Sequence, residues 1–325
     1  MRALVLPILS VLALGAAPPS EQPAPAPAAA GEAPAADPGY AVDFGEDRHE
    51  RMTVPVSIGT SGPYAFVVDT GAERTVIARE LAATLRLSSA GNTRVHSMTE
   101  VSDIPTVAIP TLGVGGKEVR GIRAPALERR NLGAEGMLGV DSLQSQRVSF
   151  DFKRQLMTIV PSRRHEERWT DDAIVVTARN RFGHLVLVDA SVEGQKVWVI
   201  VDTGAQATVG NLTLLRKLQK RGRLRPIAPV EMVSVTGGRL TAEQSLVKHV
   251  RLGGMDIYDL PVAFNDVHPF KQLGLMDRPA ILLGMDALRL FERVSVDFAN
   301  RKVKLLAPGR SERTTVTQMA LALAS

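Results

Sequence analysis

The chain has 325 residues, 45% of them hydrophobic and 22% charged, with a formal net charge of +5; that is enough apolar material for about two domains and too little charge for a disordered chain. With 27 Gly and 20 Pro but only 4% aromatic residues, turns and short strands are expected rather than long helices. The absence of cysteine excludes disulfides, a cysteine nucleophile, thiolate metal sites and a lipidated cysteine.

Residues 1–17 begin with one Arg, run through an apolar stretch from Ala3 to Leu14 and close on Gly15-Ala16-Ala17. This reads as a secretory signal peptide and sets the expectation of a periplasmic or secreted protein. The apolar run falls short of the roughly 20 residues that cross a bilayer, so an uncleaved anchor is the weaker reading, and no membrane span is expected after leader cleavage. Residues 18–39 are almost wholly Pro, Ala and Glu and read as a disordered linker.

From there the chain contains itself twice. Phe66-Val67-Val68-Asp69-Thr70-Gly71-Ala72-Glu73-Arg74-Thr75-Val76 matches Val199-Ile200-Val201-Asp202-Thr203-Gly204-Ala205-Gln206-Ala207-Thr208-Val209. Downstream, Met137-Leu138-Gly139-Val140-Asp141 answers Leu282-Leu283-Gly284-Met285-Asp286, and Arg147-Val148-Ser149-Phe150-Asp151-Phe152 answers Arg293-Val294-Ser295-Val296-Asp297-Phe298. Preserved order with unequal loops means a duplicated domain. The halves are set at 40–162 and 183–307, with a connector at 163–182 that includes Arg163-Arg164-His165, and a flexible tail at 308–325.

Each half follows one plan. A β run (Thr53 to Ile58; His184 to Val192) and a second apolar run (Tyr64 to Val68; Val197 to Val201) form a hairpin pattern ahead of the Asp. A helix follows: Asn211 is a plausible N-cap, with Leu212, Leu214, Leu215 and Leu218 on one arc and Arg216, Lys217, Lys220 and Arg221 opposite, while Ala78, Leu81, Ala82 and Leu85 give a weaker stripe in the first half. Further apolar runs, a short helix after Asp141 or Asp286, and a closing hairpin complete a mostly β protein.

An Asp after three apolar residues leaves a buried strand for a turn, where Gly brings its backbone N–H close to the carboxylate and the Thr hydroxyl can donate across a symmetry axis to the partner loop. If a two-fold axis brings Asp69 and Asp202 together, charges some 3 Å apart repel by roughly 5 kcal/mol at an effective dielectric of 20, so they cannot both ionise near neutral pH. One carboxylate and one carboxylic acid then share a proton: a base to activate water and an acid to protonate a carbonyl oxygen and later the leaving amine.

The segments Val67-Val68-Asp69-Thr70-Gly71-Ala72 and Ile200-Val201-Asp202-Thr203-Gly204-Ala205, each followed by an apolar-apolar-Gly element, resemble aspartic proteases, and more narrowly bacterial retropepsin-like aspartyl proteases with two retropepsin-type halves fused in one chain. Over residues 50 to 307 the resemblance implies a bilobal acid-protease-like fold of two pseudo-two-fold related β-barrel halves with a few short helices. It implies an exported endopeptidase with Asp69 and Asp202 as the dyad, Thr70 and Thr203 locking the loops, and Gly71 and Gly204 donating to the carboxylates. Peptide or protein is the implied substrate, with a monomer and an intramolecular site expected. The family's flap has candidates in Thr236, Gly237 and Gly238 within Met232 to Leu240, and in Ser97 and Met98 within Val95 to Val101, which lacks a tip glycine; neither segment holds a tyrosine.

Competing readings stay open. The Asp-Thr-Gly pair could be structural turns, or the chain a non-catalytic exported peptide-binding module that grips an extended peptide as an added strand. Asp141 and Asp286 read as helix caps, and Asp151 and Asp297 as structural residues at hairpin turns. The basic face of 212–225 reads as solvated surface, with no nucleic-acid motif beside it. The six histidines, His49, His96, His165, His184, His249 and His268, show no HExxH or other close pairing, so no metal or other cofactor is expected. Gly59-Thr60-Ser61-Gly62 is one residue short of a nucleophile elbow, and Gly116-Lys117 is followed by Glu118 where a P-loop needs a hydroxyl.

Overall fold

A computed structural model describes residues 40–43, 45–46, 51–143, 145–162, 169, 173–181, 184–187, 189–222 and 224–308. The expected leader at 1–17 and linker at 18–39 lie outside the described residues, as do the Arg163-Arg164-His165 segment and all of the tail but its first residue.

In the first half, strands Met52–Ile58, Ser61–Val68, Gly136–Leu138, Val76–Ala78, Lys117–Leu127 and Val101–Val114 pair in that order. The last returns to the first, Val56 opposite Val114 and Ile58 opposite Leu112, which closes a barrel. The second half repeats the order through His184–Leu187, Trp198–Val201, Ala280–Leu283, Val209–Gly210, Met255–Phe264 and Arg239–Leu252, and comes back to Ala190–Val192, just after His184–Leu187 in the chain. No helix among the described residues is long and apolar enough to cross a membrane.

Continuous apolar runs ahead of each Asp have a physical reason. Phe66, Val67 and Val68 run parallel to Gly136, Met137 and Leu138, and Val199, Ile200 and Val201 run parallel to Ile281, Leu282 and Leu283. These strands are covered on both faces, so all of their residues are buried rather than every second one. A fully buried Phe66 or Leu138 contributes about 2 kcal/mol each. Gly136 must lack a side chain, because a Cβ there would come within 2.2 Å of the Phe66 ring.

The helix after the second Asp loop runs Leu212–Gln219 with Leu214, Leu215 and Leu218 buried, and the Asn211 side chain caps it by accepting from the Leu214 N–H at 2.9 Å. Its first-half counterpart, Arg79–Thr84, buries Leu81 and Ala82 but has no side-chain cap. On the second helix Arg216, Lys217, Lys220 and Arg221 are exposed, as a solvated basic face requires.

The closing hairpins join the halves. Strands Tyr40–Asp43, Leu156–Pro161, Gln146–Asp151, Arg293–Asp297, Lys302–Leu306 and Ala173–Arg181 lie side by side, all antiparallel. The last of these strands falls inside the range read from sequence as a connector. At the centre the repeated segment pairs with its own copy: Arg147 faces Asp297, Ser149 faces Ser295 and Asp151 faces Arg293.

Candidate active site

Each Asp ends a buried strand under the same restraints. The Asp69 N–H donates to the Leu138 carbonyl and the Asp202 N–H to the Leu283 carbonyl, both at 3.0 Å. Asp69 Oδ1 accepts from the N–H groups of Gly71 and Ala72 at 2.7 and 2.9 Å; Asp202 Oδ1 accepts from those of Gly204 and Ala205 at 2.9 and 3.2 Å. Across the axis, Thr70 Oγ1 donates to the Val201 carbonyl at 3.0 Å and Thr203 Oγ1 to the Val68 carbonyl at 2.6 Å. Thr203 Oγ1 also accepts the Thr70 N–H at 3.1 Å, and Thr70 Oγ1 the Thr203 N–H at 3.2 Å.

This cross-bracing sets each carboxyl against the glycine of the opposite loop. Glycine is required on both loops: a Cβ on Gly204 would stand 2.2 Å from Asp69 Cγ, and one on Gly71 would stand 2.6 Å from Asp202 Cγ. Burial raises the Asp69 carboxyl above its usual range, against the pull of the Gly71 N–H, the Asp202 side chain, the Arg51 guanidinium and the Ala72 N–H. Asp202 lies well above that range, because burial, the Asp69 charge and the hydrogen bond to Asp69 all favour its neutral form, with only the Gly204 and Ala205 N–H groups opposing.

Beneath the loops lie Leu138-Gly139 and Leu283-Gly284. Asp141 and Asp286, read from sequence as helix caps, are instead in the first turns of Val140–Leu143 and Met285–Leu288; Gly284 occupies the cap position of the second helix. The reason is steric, since a Cβ at Gly139 or Gly284 would meet the backbone of Arg74 or Ala207 at 2.4 or 2.6 Å, and this fixes the chain path two residues ahead of the Asp. Asp141 Oδ1 accepts from Thr75 N and Oγ1 at 2.9 and 2.7 Å; Asp286 accepts from Thr208 N and Oγ1 at 2.9 and 2.6 Å. Thr75 and Thr208 in turn accept from the Gly139 and Gly284 N–H groups at 3.2 Å. Both threonines were visible in the repeat, six residues beyond each Asp, although their role was not. Burial raises the Asp286 carboxyl to about 6, despite the Thr208 and Ala287 donors.

Two hairpins, one from each half, hold the flap candidates. The first joins strands Ser89–His96 and Val101–Val114, and its tip lacks glycine: Ser97 closes it by exchanging bonds with Glu100, the Ser97 N–H donating to the Glu100 carbonyl at 2.9 Å and Ser97 Oγ to the same oxygen at 3.0 Å. The second joins Val230–Val233 and Arg239–Leu252, with Gly237 at φ +89° in the tip. The tips touch. Thr99 Oγ1 donates to Ser234 Oγ at 3.1 Å and Thr236 Oγ1 to Ser97 Oγ at 3.0 Å, and a Cβ on Gly238 would overlap Thr99 Oγ1 at 2.2 Å. Met98 offers its carbonyl to the His268 N–H at 3.0 Å, and His96 Nδ1 lies 2.6 Å from His268 Nε2. The structure thus gathers all five flap candidates at one closure; the His96–His268 contact gave no sequence signal, because 172 residues separate the two.

Arg51 is a further neighbour of Asp69. It is only 5% exposed and donates to the carbonyls of Gly204 and Leu132. It lies outside the repeated segments. From the register, in which Thr53 faces Val67 and Val186 faces Ile200, its second-half equivalent is His184.

Among the described residues no group of three or more potential metal ligands occurs. No curated protein matches the chain. The aspartyl protease profile matches it twice, over residues 54–142 and 188–287, one match to each half. With one such match on each half, and an Asp-Thr-Gly loop in each, the chain belongs to the retropepsin-like aspartyl protease family as two fused halves.

Proposed function

We propose that this chain is an exported aspartic endopeptidase that hydrolyses peptide bonds with water activated by Asp69 and Asp202. One observation carries the reading: each carboxyl lies against the glycine of the opposite loop and is held by two N–H groups of its own loop. Two acids brought this close are costly to bury for a structural role alone.

In the reaction the ionised carboxyl takes a proton from water as the water oxygen attacks the carbonyl carbon. The protonated carboxyl gives its proton to the carbonyl oxygen. Collapse of the resulting gem-diol breaks the C–N bond: the first carboxyl passes its proton to the leaving nitrogen, and the second recovers one from a hydroxyl. The pair returns to its starting state with one proton. The flap tips cover the substrate backbone and exclude bulk water, which strengthens every interaction beneath them.

The test is the full chain against a peptide library with mass-spectrometric readout. Cleavage is expected in the parent and a loss on the order of a thousandfold or more in Asp69→Asn and in Asp202→Asn. An Asn variant that cleaves like the parent overturns the mechanism, and a parent that binds peptides without cutting them makes the chain a peptide-binding module. Specific activity independent of dilution is expected for a site within one chain. Residues 1–17 support export; N-terminal sequencing of protein from the host envelope should find the chain cut after Ala17, and an intact Met1 in the cytoplasm overturns it.

A further inference from the structure

The loops around the carboxyl pair are near-copies of one another. Each carboxyl has two N–H donors on its own loop, each loop has a threonine that crosses to the other, and each is backed by an apolar-Gly element. A strictly symmetric pair would share its proton evenly. The charges around it are not symmetric. Arg51 reaches in behind Gly204, the glycine whose Cα lies against the Asp69 carboxyl, and binds its carbonyl at 3.3 Å. In the other half the equivalent residue is His184, which has no permanent charge.

Among the described residues, the ionisable groups of the two loops and the elements beneath them are exposed or engaged elsewhere. Glu73 and Arg74 on the first loop are exposed, and Glu73 accepts from Gln272 at 2.7 Å; the second loop has Gln206 and Ala207 at those places. Asp141 and Asp286 are held by Thr75 and Thr208.

We infer that Arg51 decides which carboxyl holds the shared proton, keeping Asp69 as the carboxylate and leaving the proton on Asp202. The inference rests on the proposed peptidase reading and refines it. Asp69 is then the base that takes the proton of water, and Asp202 the acid that gives its proton to the carbonyl oxygen. Arg51 touches no substrate and acts through Asp69, as a positioning residue. Burial raises both carboxyls, Asp202 the further; the guanidinium pulls against that rise at Asp69, and the Asp69 charge adds to it at Asp202.

The test reads protonation directly. Carbon-13 labelling of aspartate carboxyls, with Asp69→Asn and Asp202→Asn to assign the signals, shows which group ionises first on raising the pH of the full-length parent. Asp69 is expected to ionise first. In Arg51→Gln that step should move up by about one pH unit or more, and the acidic limb of kcat/KM should move with it, while Arg51→Lys restores the parent position. An Asp202 signal that ionises first in the parent overturns the inference, whether or not the Arg51 variants fold. So does an unmoved acid step in a folded Arg51→Gln protein. Failure of the peptidase reading looks different: no cleavage by the parent, with carboxyl titrations that still report the order of ionisation.

Discussion

Ser149 Oγ donates to Ser295 Oγ at 2.8 Å, joining equivalent residues of the two halves on their pseudo-two-fold axis. On either side the repeated sequence sets Arg against Asp: Arg293 Nη2 lies 2.8 Å from Asp151 Oδ2, and Arg147 Nη1 lies 3.9 Å from Asp297 Oδ2. Read from sequence as turn residues, Asp151 and Asp297 do hold their turns, accepting from the N–H groups of Arg154 and Asn300 at 2.9 Å, and they also tie the halves together. Arg293→Met leaves the buried Asp151 without that partner and should cost about 3 kcal/mol, read from urea denaturation. A change under about 0.5 kcal/mol would show that the strand pairing alone holds the halves.

Gly204→Ala should fold and fail in catalysis. Its Cβ would stand 2.2 Å from Asp69 Cγ, so the carboxyl must shift out of line with Asp202. A displacement of that size is expected to lower kcat by about a hundredfold or more, with circular dichroism unchanged. Parental kcat would show that the loop relaxes without disturbing the pair.

Thr203→Val removes the hydroxyl that donates to Val68 and accepts from Thr70, at a site with no exposed surface. Valine keeps the shape and leaves a buried carbonyl and N–H without partners, so a loss of about 2 kcal/mol is expected by thermal denaturation. Thr70→Val should behave alike, and the double variant should lose less than the sum, because the two hydroxyls serve one network.

Asp286 makes stability depend on pH in a definite direction. Its carboxyl is raised by burial from 3.8 to about 6, so the folded state binds the proton more tightly than the unfolded state. The stability this contributes is fully present below about pH 4 and is lost as pH rises through 6, a difference on the order of 3 kcal/mol. Asp286→Asn should flatten that part of the stability profile and keep an acceptor for Thr208, whereas Asp286→Ala should be destabilised at every pH. An unchanged profile in the Asn variant would place the titration elsewhere.

Acid should loosen the first flap. Burial, His96 and Lys271 all hold the His268 ring below its ordinary range, so it stays neutral and bonded to His96 near neutral pH. A depressed histidine gives a folded state that binds fewer protons than the unfolded one, so this contact is lost as pH falls below about 6.5 and the His268 ring charges. Amide exchange at the tip around Met98 should quicken at pH 5 relative to pH 7.5, and His96→Gln should remove most of that difference. Equal exchange at both pH values would mean that the tip hydroxyls alone hold the closure.

The sequence by itself determined the duplication, the mostly β plan, the Leu212–Gln219 helix with its Asn211 cap, and the positions of Asp69 and Asp202, because each rests on local rules: strand burial, helix periodicity, and a turn that only glycine permits. Repetition made those rules visible twice. Tertiary structure decided everything that depends on where one half meets the other. Asp286 became a clamp rather than a cap because the chain crosses Thr208 there, and Ser97 met Thr236 because two hairpins from different halves lean together. Arg51 could not be read as part of the site, since it has no copy in the second half and its carbonyl partners, Leu132 and Gly204, lie 81 and 153 residues away. Local preference is written along the chain; the field at a buried carboxyl is a sum over neighbours that only folding brings within range.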